Sequence, residues 1–181
     1  MSYWVVALFD QESENKLRAL WKKVVDSGVN SFMLDTDSIP HITLAACDQI
    51  DENEFLPRLK EFAAGIEPFR LLFSSIGIFP FGNNVLFLTP VITDKLLALH
   101  TGVHGLLCEK NCTVAHLHYQ PNHWAPHCTI AVNAPLEESL KGISSLMADF
   151  QPLQVTVDAL LVVEAYPIRY MERYPLTGAC Q

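Results

Sequence analysis

The sequence has 181 residues, half of them hydrophobic and 18% charged, and its 12 basic and 20 acidic residues give a formal net charge of −8. This length favours one domain over residues 1–181 with a substantial core. No stretch approaches the roughly 20 apolar residues of a membrane span, the opening residues lack the basic start of a signal peptide, and no basic stripe for long nucleic acid is visible.

The predicted elements alternate between strands and helices. In chain order they are a strand at 3–9, a helix at 12–27, a strand at 39–46, a helix at 51–64, strands at 69–79 and 85–88, a helix at 96–107, a strand within 124–132, a helix at 135–150, and strands at 155–163 and 170–176. Strands and helices that alternate in this way predict an α+β fold of two mostly antiparallel sheets facing each other, with helices outside.

A hexapeptide that occurs twice indicates that the two halves are duplicated lobes. Residues 40–45 read PHITLA and residues 126–131 read PHCTIA, so the proline, histidine, threonine and alanine are shared. His127 follows His41 by 86 residues (127 − 41), and in each half a predicted strand begins 28 residues after the histidine (69 − 41 and 155 − 127). Two short matches at corresponding places of a repeat are far more specific than one.

The repeated residue types suit proton transfer at phosphorus. Because side chains alternate along a strand, His41 and Thr43 share one face, and so do His127 and Thr129. If the lobes face each other, two imidazoles and two hydroxyls converge on one cleft. The imidazoles can divide the work of general acid and general base near neutral pH, and the hydroxyls can bind phosphate oxygens. This chemistry needs no metal and no cofactor.

The paired segments resemble the two His-x-Thr/Ser-x motifs of the 2H phosphoesterase superfamily, and within it the bacterial 2′-5′ RNA ligase and cyclic phosphodiesterase branch. The resemblance implies a bilobal domain with a pseudo-twofold axis and a central groove, which opens 2′,3′-cyclic phosphates of small nucleotides or RNA ends, with 2′-5′ RNA ligation as a second activity. It also implies that His41 donates a proton to the departing 3′ oxygen, that His127 accepts one from water, and that Thr43 and Thr129 bind the phosphate.

Aromatic residues near the motifs are candidates for stacking on a nucleobase. Trp124 is preferred as a substrate-binding residue because it lies three positions before His127 in an expected rim segment. Tyr119, Phe79 and Phe81 are weaker candidates, since most aromatic side chains only pack in the core.

Two alternatives stay open at this stage. A module that holds a nucleotide without turnover would use the same groove. A zinc site is the other, because several metal-ligating side chains cluster in one segment, namely Cys112, His116, His118, His123, His127 and Cys128. Their spacing fits no closed structural zinc pattern and leaves His41 unexplained, so no metal is predicted.

The five cysteines are an odd number in a chain too long to need disulfides. Reduced thiols and a cytoplasmic location are the simplest expectation. The acidic balance favours a small nucleotide or a strand terminus as the partner, with no membrane partner, and we expect the chain to act as a monomer.

Overall fold

The computed structural model describes residues 2–80, 84–107, 117–165 and 168–178. Its strands are β1 Ser2–Phe9, β2 His41–Cys47, β3 Phe69–Phe79, β4 Val85–Pro90, β5 Cys128–Val132, β6 Leu153–Ala165 and β7 Arg169–Pro175. Its helices are α1 Gln11–Asp26, α2 Phe32–Asp35, α3 Glu52–Ala64, α4 Asp94–Leu107 and α5 Leu136–Met147, with a 3₁₀ turn at Leu117–Tyr119. Each predicted element is therefore present, while α2, which is too short to show a helical period, was not predicted.

The helices begin where side chains can accept the free N–H groups of a first turn. Asp10 accepts the backbone N–H of Ser13 at 2.8 Å at the start of α1. Asp51 does the same for the first turn of α3. Thr93 Oγ1 accepts the backbone N–H of Leu96 at 3.2 Å and so caps the start of α4.

The seven strands pair antiparallel, and this confirms the α+β prediction. Four of them lie in the order β2-β1-β6-β7, and three lie in the order β5-β4-β3. These two groups are the predicted sheets. They are joined into one hydrogen-bonded network because the first residues of β3 and β6 pair with each other and β2 contacts β5. β3 and β6 can do this because they have 11 and 13 residues, enough to pair within and between the groups.

The strands of the two repeated units are not arranged in the sheet in the order in which they follow one another in the chain. β4 lies between β3 and β5, and the corresponding place between β6 and β2 is taken by β1. β7, which follows β6 in the chain as β4 follows β3, pairs at the other edge of β6. The first strand therefore completes the second copy of the three-strand unit, and the pseudo-twofold relation holds between β2 and β5 and between β3 and β6.

The core lies between the strands and two pairs of helices, in which α1 contacts α5 and α3 contacts α4. Side chains from both groups of strands belong to a single buried cluster, among them Leu44, Phe73, Leu88 and Leu160. Burial of such side chains contributes about 1.5–3 kcal/mol each to folding. Within the described ranges, no helix is long and apolar enough to cross a membrane.

Candidate active site

Each copy of the repeated hexapeptide forms a strand with a β-bulge at the same place. In β2 the pairing with β1 skips Leu44, and in β5 the pairing with β4 skips Ile130. The skipped residue directly follows the motif threonine, Thr43 or Thr129. A bulge bends its strand and changes the direction of neighbouring side chains. The matching bulges therefore extend the duplication from sequence to backbone geometry.

The two motifs meet at the joint between the lobes. The Ile42–Cys128 pair is the point where β2 contacts β5, so His41 and His127 precede neighbouring residues of adjacent antiparallel strands. The backbone N–H of His41 donates to the Cys128 thiol, and burial raises the pKa of that thiol to about 12. Cys128 is thus a neutral packing residue at neutral pH, and the imidazoles are the groups that can exchange protons here.

Both motif histidines are held by the same hydrogen bond. Nδ1 of His41 lies 2.6 Å from the carbonyl oxygen of Ile39, and Nδ1 of His127 lies 2.7 Å from that of Ala125. A carbonyl oxygen can only accept, so Nδ1 carries the proton in both rings. The neutral form of each ring therefore has an unprotonated Nε2, which is the ring atom that can accept a further proton.

Burial lowers the pKa of both imidazoles below the ordinary histidine value. Desolvation is the largest cause for His41 and for His127, and the hydrogen bond to the backbone carbonyl opposes it in each. A positive charge on His127, which lies at the start of the adjacent strand, lowers the pKa of His41 further. The structure thus brings the two predicted histidines into one site and disfavours the state in which both are charged.

Aromatic rings surround the second histidine. The ring centroids of Phe79 and Phe87 lie 4.9 Å and 5.3 Å from that of His127, and that of Tyr119 lies 6.4 Å away. Phe87 can take this position because Gly77 has no side chain, since a Cβ there would clash with the Phe87 ring. Phe79 and Tyr119 were among the predicted aromatic candidates. Phe87 was not, because in sequence it looks like a core position of β4.

Trp124, predicted as a substrate-binding residue, lies behind the first motif. Its indole Nε1 donates to the carbonyl oxygen of Thr43 at 3.0 Å, and its ring stacks on His100 at 3.9 Å. One face of the ring and its only donor are therefore used within the protein, and a substrate can contact only the other face. The further candidate Phe81 lies outside the described residues.

The threonine carbonyls of the two motifs both receive an indole N–H. Trp21 of α1 is 1% exposed and donates from Nε1 to the carbonyl oxygen of Thr129 at 2.9 Å, as Trp124 does to that of Thr43. On the other face of the first motif, Thr43 is hydrogen-bonded to the Tyr119 side chain. Donors from distant elements thus fix the backbone of each bulge, and no local pattern in the sequence indicates these contacts.

The residues of the zinc alternative are only partly described. His118 lies in the 3₁₀ turn and His123 lies shortly after it, both at exposed positions, while Cys112 and His116 lie outside the described residues. Among the residues that the structure describes, no three His, Cys, Asp or Glu side chains are grouped so that they could hold a metal ion.

Comparison with known proteins gives one family and one fold. A model of the 2′-5′ RNA ligase superfamily matches residues 10–166, while no curated protein matches the chain. The fold is similar to that of TT0787 of Thermus thermophilus, with 21% identity, a TM-score of 0.61, and coverage of 98% of this chain and 99% of that one. E. coli LigT complexed with 3′-AMP matches with 16% identity, a TM-score of 0.60 and 97% coverage of both chains. Kluyveromyces marxianus Usb1 matches with 12% identity, a TM-score of 0.57 and 97% coverage of both chains.

These observations converge on the same assignment. The family model spans most of the chain and includes both hexapeptides, and the solved structures share the fold over nearly its whole length. The chain therefore belongs to the 2′-5′ RNA ligase superfamily of 2H phosphoesterases, and it is an enzyme that acts on phosphodiester bonds.

Proposed function

We propose that this enzyme opens the 2′,3′-cyclic phosphate of a small nucleotide or an RNA end without a metal ion. The observation that carries the proposal is the pair of half-buried imidazoles, each fixed through Nδ1 and each followed by a threonine at the joint of β2 and β5. Such a pair supplies one proton donor and one proton acceptor, as the opening of a cyclic phosphodiester by water requires.

In the proposed reaction, water attacks phosphorus and gives its proton to Nε2 of His127. The bond from phosphorus to the 3′ oxygen breaks, and that oxygen takes a proton from Nε2 of His41. Thr43 and Thr129 hold the non-bridging oxygens and donate to the charge that grows on them. The product carries a 2′-phosphate and a free 3′-hydroxyl. An RNA 5′-hydroxyl in place of water would give a 2′-5′ linkage by the same proton transfers, and this defines the ligase reaction.

The choice of a small substrate is supported by charge and by the related structures. The net charge of −8 is opposite to that of proteins that bind long nucleic acid through many phosphate contacts. Solved structures of E. coli LigT include complexes with 3′-AMP, NADP⁺ and ATP. We therefore expect a nucleotide to bind at the two motif histidines, with its base against the aromatic rings around His127.

The proposal is tested with a panel of nucleoside 2′,3′-cyclic phosphates and a short RNA that ends in one. We expect hydrolysis to continue after treatment with a chelator, with the 2′-phosphate as the product resolved by chromatography. Saturable nucleotide binding with no product from any member of the panel would contradict hydrolysis and support a module that binds a nucleotide without turnover. Loss of activity on chelation, restored by zinc, would overturn the metal-free mechanism.

The pH dependence follows from the lowered pKa values of His41 and His127. Hydrolysis needs one imidazole protonated and the other neutral. Because both pKa values lie below the ordinary value of about 6.5, protonated imidazole becomes scarce above that pH. We expect kcat/KM to reach its maximum below about pH 6.5 and then to fall about tenfold per pH unit on the alkaline side.

This profile is measured as kcat/KM, which reports the free enzyme, with circular dichroism at each pH to show that the protein stays folded. A constant kcat/KM from about pH 6.5 to about pH 8.5 would contradict an imidazolium as the proton donor.

A further inference from the structure

Two histidines that the proposed reaction does not use are buried directly behind the first motif. His100 and His104 lie on the core side of α4, and they are 3% and 4% exposed. Their ring centroids are 4.5 Å apart. Buried imidazoles in a helix are costly unless their N–H groups have acceptors, so their hydrogen bonds show what this pair holds.

Both rings donate to one carbonyl group. Nε2 of His100 and Nε2 of His104 each lie 2.8 Å from the carbonyl oxygen of Tyr119, and Nε2 of His104 also lies 3.2 Å from that of Leu44. Because the oxygen can only accept, both Nε2 atoms carry protons. Burial lowers the pKa of His100, so this ring donates as a neutral group. The two Nε2–H groups thus hold the 3₁₀ turn against the bulge of β2.

The Tyr119 side chain extends this contact into the active site. It is hydrogen-bonded to the Thr43 side chain, and its ring is stacked 6.4 Å from that of His127. His104 also bonds the carbonyl of Leu44, the residue skipped by the bulge, and Trp124 bonds the carbonyl of Thr43 while it stacks on His100. The hydroxyl of Thr43, its carbonyl oxygen and the carbonyl oxygen of Leu44 are therefore each held by a hydrogen bond. The groups that make these bonds are either on α4 or in contact with it.

We propose that His100 and His104 are positioning residues that hold Tyr119 against Thr43, and so set where the phosphate of the substrate binds. The effect on catalysis rests on the proposed function, while the effect on Thr43 is a property of the fold. A displacement of about 1 Å in a group that positions substrate can cost about a hundredfold in rate. The histidines act through Tyr119 and Thr43, and neither needs to contact the substrate.

The test compares His104→Leu with His104→Gln. Leucine fills the site without a donor, whereas glutamine retains an N–H at a similar reach. We expect kcat/KM for the cyclic phosphate to fall about tenfold to a hundredfold in His104→Leu and to recover in His104→Gln. In a Tyr119→Phe background, His104→Leu should change kcat/KM by less than about twofold, because the two variants break the same connection.

Leu99→Ala is the matched control. Leu99 lies on the same helix and is 1% exposed, so its truncation lowers stability without removing a donor to Tyr119. We expect Leu99→Ala to unfold at lower urea concentration while kcat/KM at low temperature stays within about twofold of the unmodified protein.

The ¹³C shift of the Thr43 methyl group gives a measurement that does not depend on activity. It should move in His104→Leu and return in His104→Gln. If the protein turns over no cyclic phosphate but this shift behaves as expected, the proposed function fails and the positioning role stands. If the protein is active and His104→Leu keeps both the shift and full kcat/KM, the positioning role is overturned while the function stands. Equal losses from His104→Leu with and without Tyr119→Phe would also overturn it.

Discussion

Replacing either His41 or His127 by asparagine should lower kcat/KM for a 2′,3′-cyclic phosphate by about 10³-fold in a protein that stays folded. The asparagine side chain can keep an N–H near the position of Nδ1, where the histidine donates to the carbonyl of Ile39 or Ala125. It has no group in place of Nε2. The substitution therefore removes proton transfer and retains the hydrogen bond that fixes the side chain, which alanine would not do.

The same two variants can distinguish the acid from the base. A nucleoside p-nitrophenyl phosphodiester releases a phenolate that departs without a proton at neutral pH. If His41 is the acid, His41→Asn should lose far less activity on this substrate than on the cyclic phosphate, whereas His127→Asn should lose activity on both. The reverse pattern would exchange the two roles, which the pseudo-symmetry of the motifs allows.

His123→Asn serves as the control for the loss of an imidazole close to the site in sequence. His123 is exposed and lies four residues before His127, so this variant should retain full kcat/KM. Full activity in both His41→Asn and His127→Asn would remove the proposed mechanism altogether. Circular dichroism and the urea midpoint of each variant show whether a loss of activity reflects unfolding.

Replacing Thr43 or Thr129 by valine should lower kcat/KM by about 10²-fold, mainly through kcat. Valine has nearly the shape of threonine, so the change removes a hydroxyl from the proposed phosphate site and leaves the strand intact. In the proposed reaction the hydroxyl donates to oxygens whose negative charge grows in the transition state, so a lost donor should affect the rate more than the binding of the substrate. Serine variants, which keep the hydroxyl, should retain most of the activity.

The two threonines should differ in their effect on stability. Thr43 is 6% exposed and is hydrogen-bonded to the Tyr119 side chain, so Thr43→Val also removes a buried hydrogen bond. We expect its free energy of unfolding to fall by about 1 kcal/mol from this cause. Urea denaturation measures this difference. A valine variant of either threonine with unchanged kcat would show that its hydroxyl does not serve the transition state.

The duplication and the chemical groups of the candidate site could be predicted from the sequence because they depend on local order. The hexapeptides at residues 40–45 and 126–131 are contiguous, and strand alternation already predicts that each histidine lies beside its threonine. The helices were predictable for the same reason, since the apolar residues that define their period lie within a few positions of one another. The family resemblance rested on these same segments.

The sequence pattern was less informative about the surroundings of Trp124. A position three residues before a motif histidine suggested a rim residue that stacks on a base. In the structure its indole N–H donates to the carbonyl oxygen of Thr43, and one face of its ring stacks on His100. His100 and His104 were missed altogether, although two histidines four residues apart on the apolar face of a helix were a signal that could have found them.

Sequence alone thus determined the α+β class, the repeat and the His–Thr pairs, because each follows from residues that are neighbours in the chain. Only the tertiary structure decided that β1 takes the place corresponding to β4, that bulges skip Leu44 and Ile130, and that Trp21 and the α4 histidines hold the backbone of the two motifs. Strand pairing and hydrogen bonds between distant elements depend on which surfaces meet after the chain has folded, and the periodicity of a single segment carries no record of its partner.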